Sequence, residues 1–82
     1  MVHVCFRGEL AQLTGSGGMD VAAGTVGEVL RAIRKQYGAP ARREAGRMLI
    51  TVNQKSVTLL RGYHTPLSEG DTVSFLPICG GG

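Results

Sequence analysis

The chain has 82 residues, of which 43% are hydrophobic and 18% charged, and its formal net charge is +3. This balance is typical of one small globular domain and excludes a disordered chain. A domain of this size buries only about 60–65% of its unfolded surface, which favours a binding or carrier role over a self-contained enzyme. No apolar run approaches the ~20 residues of a membrane span. Residues 1–7 do not resemble a signal peptide, so we expect a cytoplasmic protein without a membrane partner.

The cysteine and histidine content argues against a disulfide scaffold, a metal site or a bound cofactor. The two cysteines, Cys5 and Cys79, are expected to be free thiols in a reducing compartment. His3 and Cys5 share one strand face, but no third or fourth ligand is spaced to join them. An iron–sulfur cluster would need four cysteine ligands.

The excess positive charge lies mainly between residues 31 and 47. The residues concerned are Arg31, Arg34, Lys35, Arg42, Arg43 and Arg47. A nucleic-acid surface usually interleaves aromatic side chains with such cations, and neither that pattern nor a nucleic-acid motif is present. We therefore interpret these cations as a solvated helix face and a loop, and expect no nucleic-acid partner.

The first elements are predicted to form a hairpin. Alternation of apolar and polar residues over 2–6 predicts a strand whose apolar side chains face the core. Residues 9–13 are expected to form a short helical turn or an irregular loop. The glycine-rich turn at 15–18 leads into a short second strand over 19–23.

The clearest local pattern predicts a helix over residues 26–37. Thr25 and Glu28 have the spacing of a capping box, in which each side chain satisfies an amide at the helix start. Gly38 supplies a left-handed cap and Pro40 prevents continuation. Apolar residues recur at helical spacing and form one stripe. The stripe consists of Val26, Val29, Leu30, Ile33 and Tyr37.

The second half of the chain alternates strands with connections. Residues 39–47 are predicted to be a polar connection, followed by a strand over 48–52 and a short returning strand over 56–60. A loop over 61–65 and a tight turn over 66–71 lead into the last strand. One helix laid across a small mixed sheet buries both apolar faces, so the expected fold class is α+β. We expect the first and last strands to pair in the middle of the sheet.

The end of the sequence suggests the function. Val73 and Phe75 alternate with polar residues and indicate a strand, and Pro77 removes a ladder donor and ends the pairing. Three glycines follow, and because glycine has no Cβ, they can lie extended in a channel too narrow for other residues. From Ile78 to Gly82 the chain can reach roughly 15–18 Å, enough to place a terminal carboxylate in another protein's active site. We infer that the carboxylate of Gly82 is the functional group.

The sequence resembles the ubiquitin-like sulfur-carrier family, above all the small subunit of molybdopterin synthase, and is related to the thiamine-pathway carriers. The resemblance rests on the element order and on five segments. These are Leu49–Gln54, Thr65–Leu67, Gly70–Val73, Phe75–Pro77 and Gly81–Gly82. It implies a β-grasp fold, in which one main helix packs across one face of a small mixed sheet. It also implies a β-grasp domain over residues 1–77 and a flexible glycine tail over 78–82.

The resemblance implies that Gly82 carries sulfur. A ubiquitin-activating-type enzyme adenylates its carboxylate with ATP, and sulfur from a persulfide donor displaces AMP to leave a thiocarboxylate. The thiocarboxylate then donates sulfur to a precursor bound by a larger synthase subunit, in molybdenum cofactor biosynthesis. The chain would thus be a carrier and co-substrate with no bound cofactor, not a catalyst on its own. Bulk at Gly81 or Gly82 would obstruct both the activating and the receiving channel.

The resemblance also implies which residues bind partners. These are Arg7, Leu76, Pro77, Ile78, Cys79 and Gly80. Arg7 departs from the family, whose members often carry an aromatic residue after the phenylalanine of the first strand. Leu76 is expected to point away from the core, opposite Phe75. Cys79 takes an apolar position of the family pattern, so we interpret it as an inert anchor.

Other functions remain open at this point. The same tail would serve a carrier for thiamine, cysteine or another thio-metabolite, or a protein modifier that forms isopeptide bonds to lysines through Gly82. An RNA-binding module that uses the basic helix end is a further alternative. It predicts salt-sensitive RNA binding that survives removal of Gly81 and Gly82.

Overall fold

The computed structural model of the protein describes residues 1–78 as a mixed sheet of five strands with three α-helices. None of these helices is long and apolar enough to cross a membrane. The strands are β1 (Val2–Phe6), β2 (Gly18–Val21), β3 (Leu49–Val52), β4 (Lys55–Ser56) and β5 (Thr72–Leu76). The helices are α1 (Gly8–Thr14), α2 (Val26–Tyr37) and α3 (Ala39–Gly46), and 3-10 turns lie at Val57–Leu59 and Gly62–His64. The predicted α+β class is confirmed.

The two most regular strands occupy the middle of the sheet, as predicted. The strand order is β2-β1-β5-β3-β4, in which β1 and β5 run parallel and the other neighbours antiparallel. Val73 and Phe75 of β5 are fully buried, because this strand has neighbours on both sides and a helix layer over one face. The register pairs Phe6 with Phe75, so β1 and β5 finish at the same end of the sheet.

The predicted helix over 26–37 is confirmed with its boundaries. Its apolar stripe enters the core, where Phe6 meets Tyr37 edge-to-face with ring centroids 5.7 Å apart. Thr25 caps the helix by accepting a hydrogen bond from the Glu28 amide at 3.2 Å. The Glu28 carboxylate accepts from the Gly24 amide at 2.9 Å, one residue before the position that a capping box would use.

The polar connection predicted over residues 39–47 is wrong, because α3 occupies most of it. Gly38 ends α2 with φ +95° and ψ 175°, which turns the chain out of the helix instead of forming a left-handed helical cap. Pro40 then lies in the first turn of α3, where its missing N–H costs nothing. Ala41 and Ala45, one helical turn apart, are buried against the other helices. Alanines gave too weak an apolar signal to predict this stripe.

Three shorter segments also differ from the prediction. Residues 9–13 belong to a regular helix, α1, because Leu10 is completely buried and Gly15 closes the helix with φ +67°. The predicted strand over 56–60 ends after Ser56, since Val57 turns into the core and starts a 3-10 turn. The predicted loop over 61–65 contains the second 3-10 turn.

The second strand begins one residue earlier than predicted and ends at Val21, and its first residue lies unusually close to β1. Gly18 pairs with Cys5, and a Cβ placed on Gly18 would lie 2.2 Å from the carbonyl oxygen of Val4. Backbone cannot move aside as a flexible side chain can, so only glycine fits at this position. The first hairpin therefore depends on the absence of one side chain.

We predict that Gly18→Ala lowers the free energy of unfolding by roughly 1–3 kcal/mol, because the methyl group separates β1 from β2. Gly17→Ala is the matched control, since a Cβ at Gly17 meets no atom within 4 Å. Urea unfolding of both variants measures the difference. If both variants had the same free energy of unfolding, the close approach of Gly18 to β1 would be contradicted.

The turn before β5 is joined to the end of β3 by a small hydrogen-bond network. Asn53, at φ +50°, donates to the Asp71 carboxylate at 3.1 Å and accepts from the Thr72 amide at 3.0 Å. The second carboxylate oxygen of Asp71 accepts from the Ser68 amide at 2.8 Å. The Ser68 amide, and after it the Asn53 side chain, hold the pKa of Asp71 below its usual 3.8. The network links two of the segments on which the family resemblance rests.

A carboxyl group whose pKa is lowered by folding stabilises the fold above its unfolded pKa. That stability is lost as the pH falls through the lower folded value. We therefore predict that Asp71→Asn lowers the melting temperature at pH 7, and that the difference from the natural chain shrinks below pH 3.8 and disappears as the pH falls through the lower folded pKa. Thermal unfolding across this range measures it. Glu44→Gln removes the same charge elsewhere and is the control, and a pH-independent difference for Asp71→Asn would contradict the prediction.

Candidate functional site

The end of the sheet where β5 finishes brings together several residues that the sequence assigned to partner binding. Because β1 and β5 are parallel and in register at their phenylalanines, Arg7, which follows β1, and Leu76, the last residue of β5, lie at the same end of the sheet. Arg7 is exposed and extended at the start of α1. Pro77 lies beside Gly8, where an added Cβ would be 3.4 Å from the Cβ and Cγ atoms of the proline ring. The proline thus packs against the start of α1.

Leu76 lies on the face of the sheet opposite the helices. Phe75 is fully buried and Leu76 only half-buried, as the alternation of β5 predicts. The cross-strand partner of Leu76 is Leu49 of β3, which is 38% exposed. The other strand positions on this outer face are polar or small by their register. They are His3, Cys5, Gly18, Asp20, Thr51, Ser56, Thr72 and Ser74. The large apolar side chains of the outer face are therefore concentrated where β5 ends.

A groove lies beside the residue that follows Pro77. Ile78 is 64% exposed and lines a cavity of about 240 Å³ together with Met48, Leu49 and Tyr63. Across the Tyr63 ring lies the guanidinium of Arg42, whose central carbon is 5.8 Å from the ring centroid. We call Arg42, Leu49, Tyr63, Leu76 and Ile78 the tail-root surface. It joins one end of the sheet to α3 and the second 3-10 turn.

Arg42 and Tyr63 were missed as site residues by the sequence reasoning, which placed them in a solvated region and a loop. They are 21 positions apart in the sequence, and only the packing of α3 beside the second 3-10 turn brings them together. Gly46 lies beside this contact, and a Cβ there would be 2.7 Å from Nη1 of Arg42 and 3.6 Å from the Tyr63 hydroxyl. No local sequence pattern indicates such a contact.

The remaining predicted site residues lie outside the described part of the chain. They are Cys79, Gly80, Gly81 and Gly82. Their assigned functions stay predictions.

His3 and Cys5 share the outer face as predicted, and His3 is engaged with a carboxylate. Its Nδ1 lies 2.6 Å from Oδ1 of Asp20, while the Cys5 thiol is free and half-buried. Within residues 1–78, no group of three or more His, Cys, Asp or Glu side chains is arranged to hold a metal ion. The histidine and carboxylate instead form an exposed cross-strand pair between β1 and β2.

Comparison with known proteins assigns the chain to a family. The model of the ThiS family matches residues 4–82. The "Molybdopterin synthase sulfur carrier subunit" of Escherichia coli (strain K12) is 32% identical over 87 residues, which cover all of both chains.

Two solved complexes contain chains of similar structure. The BexX/CysO complex of Amycolatopsis orientalis gives a TM-score of 0.84 at 24% identity, with all of both chains covered. The complex of subunits 1 and 2 of the molybdopterin-converting factor from Helicobacter pylori 26695 gives 0.69 at 26%, with 98% of this chain and 97% of that chain covered. The β-grasp fold is thereby confirmed, and the chain belongs to the ThiS family of ubiquitin-like sulfur carriers.

Proposed function

We propose that this protein is a sulfur carrier whose Gly82 carboxylate is adenylated, converted to a thiocarboxylate, and used as the sulfur donor in molybdopterin biosynthesis. The observation that carries the proposal is the family match, which extends through the terminal glycines to residue 82. The full-length similarity to the Escherichia coli carrier subunit favours molybdopterin as the product.

The fold supports this proposal by giving the tail a rigid base. β5 has a neighbouring strand on each side, and its inward side chains are completely buried. Pro77 ends the pairing and packs beside Gly8, so the segment that follows leaves the sheet from a fixed position. A fixed base lowers the entropy lost when the tail enters a partner's channel.

The proposed chemistry assigns the catalytic groups to the partners. The carboxylate of Gly82 attacks the α-phosphorus of ATP, pyrophosphate leaves, and an acyl adenylate forms. The terminal sulfur of a protein persulfide then attacks the acyl carbon and AMP leaves. A thiol cleaves the resulting acyl disulfide and releases the thiocarboxylate. The carrier supplies only the acyl group, so it acts as a co-substrate and not as an enzyme.

The solved relatives support a larger receiving subunit. The Helicobacter pylori neighbour was solved as a complex of two subunits of a molybdopterin-converting factor. We propose that this chain delivers sulfur within a comparable complex. Delivery to another thio-metabolite, or conjugation to lysines, uses the same activated tail and is distinguished by the acceptor.

We predict that the protein gains the mass of one sulfur replacing one oxygen when incubated with ATP, a persulfide donor and an adenylating enzyme. Removal of Gly82 is expected to abolish the gain, because the activated carbonyl then lies one residue short of the active site. Gly17→Ala, in an open turn, is expected to gain sulfur normally. Intact-mass spectrometry measures all three chains.

An unchanged mass for the natural chain, or a gain that survives removal of Gly82, would refute the carrier function. A ladder of heavier conjugates in place of the single gain would indicate a protein modifier. Adding the larger molybdopterin synthase subunit, together with the precursor that it binds, then tests the pathway. The sulfur should leave the carrier only in the presence of the correct acceptor.

A further inference from the structure

We propose that the outer edge of β2, together with the groove between β2 and α2, binds an extended segment of another protein as an added β-strand. The segment carries a basic side chain opposite Asp20 and apolar side chains on either side of it. Within residues 1–78, β2 pairs with β1 alone, and β1 separates it from β5. The site therefore lies along the edge of the sheet, away from the strand that leads into the tail, and does not rest on the proposed function.

The register of the first hairpin decides which backbone groups of β2 face this edge. Antiparallel neighbours alternate between pairs that exchange hydrogen bonds and pairs that do not. The Phe6 amide donates to the Gly17 carbonyl at 3.0 Å, so every second pair from this one along the hairpin is hydrogen-bonded. Gly18 and Asp20 occupy the intervening positions. Their amide and carbonyl groups therefore point away from β1, toward the outer edge.

Of these two residues, Asp20 leaves its backbone groups open. The Ser16 hydroxyl accepts from the Gly18 amide at 3.1 Å and donates to the Gly18 carbonyl at 2.7 Å, so Gly18 is already satisfied. Across the part of the chain that the structure describes, no hydrogen bond of this kind covers the amide or the carbonyl of Asp20. Unpaired groups on an edge strand are a template for a further strand. A bound segment therefore centres its pairing on Asp20.

The groove beside β2 provides apolar contacts for such a strand. It has a volume of about 600 Å³ and is lined by Met19 and Val21 from β2, by Ala32 from α2, and by Met1, which is 53% exposed. Met19 and Val21 alternate with Asp20, so they lie on the helix side of the sheet, where they pack against the core. An added strand continues this surface. The two side chains that flank the residue opposite Asp20 are therefore expected to be apolar.

The charges along the edge argue against a second copy of this chain as the bound partner. Asp20 lies on the outer face, beside His3 of β1. Two copies joined symmetrically at their open positions would place one Asp20 directly opposite the other, and like charges at opposite positions destabilise a strand pair. A lysine or arginine at that position of a different protein is instead attracted by the carboxylate. The edge thus favours a partner with a basic residue there.

Lys35 adds a requirement on the groove side. Its side chain is exposed and lines the groove, and the two salt bridges within residues 1–78 do not involve it. A carboxylate at the margin of the apolar positions would face this ammonium. The bound segment is therefore expected to read acidic, polar, apolar, basic, apolar along its length, with the basic residue opposite Asp20.

The test titrates the full, isotopically labelled chain with the capped peptide Glu-Thr-Val-Lys-Val-Thr-Glu, whose symmetric order serves either strand direction. NMR chemical shifts measure binding. We expect saturable shifts of the amides over Met19–Ala22, and slower hydrogen exchange of the Asp20 amide because it becomes hydrogen-bonded. The control peptide is methylated at the backbone nitrogen of its lysine. It keeps every side chain but lacks the amide that pairs with Asp20, and is expected to bind at least about ten-fold more weakly.

Variants of the chain separate backbone pairing from charge. Asp20→Pro removes the outward amide but no hydrogen bond to β1, a position at which an edge strand tolerates proline. It is expected to weaken peptide binding about ten-fold or more, whereas Asp20→Asn, which keeps the amide, should cost only about three-fold. Lys35→Glu is expected to cost about three-fold, and Lys55→Glu, the same charge change on β4 at the other edge, should leave the affinity unchanged. Melting temperatures verify that each variant is folded.

Absence of saturable shifts up to about 1 mM peptide, or equal binding of the methylated peptide, would overturn the proposal. Shifts confined to β4 would overturn it as well, since the peptide would then use the other edge of the sheet. If the same amides shifted on concentrating the chain without peptide, the edge would belong to a second copy instead. Removal of Gly82 is expected to leave peptide binding unchanged, because β1 lies between this site and β5.

Discussion

The parallel pairing of β1 with β5 is the constraint on which the rest of the molecule depends. It joins the two ends of the described chain in the centre of the sheet and places Phe6 opposite Phe75. Their side chains enter the same core beneath α2, where the rings lie 6.3 Å apart. Because the core is thin in so small a domain, the loss of this pair would remove two of its large buried side chains. The pairing also places Pro77, which follows β5, beside the start of α1.

This arrangement suits a protein whose proposed reactive group lies beyond its fold. The proposed function requires the same tail to enter an activating enzyme and a receiving subunit, which favours a narrow tail with a rigid base. The central position of β5, ended by Pro77, provides the base. Each partner then has to recognise the domain by the surface beside the tail. In this chain that surface combines a small apolar area with an arginine whose guanidinium lies over a tyrosine ring, whereas the outer face of the sheet is mostly polar.

The hydrogen-bond network of Asn53 and Asp71 explains part of the family resemblance in physical terms. An asparagine at positive φ, a carboxylate and a strand amide hold the end of β3 beside the turn that precedes β5. These two segments are distant in the sequence, and the network forms only when both are present. Their joint presence is therefore a stronger indication of the fold than either segment alone, because each supplies what the other must bind.

The sequence by itself determined the elements whose signals are local and strong. The capping residues and apolar stripe of α2 and the alternation of β1 and β5 were sufficient to predict the fold class, and the family was indicated by a resemblance that rests on the element order and five segments. Helix α3 was missed because its buried residues are alanines, whose burial depends on how closely the neighbouring helices pack and not on hydrophobic periodicity. The contact of Arg42 with Tyr63 was decided only by the tertiary structure, because it joins a helix and a turn that share no sequence pattern. Local propensity acts between neighbours along the chain, whereas such a surface depends on residues that meet only after the core has formed.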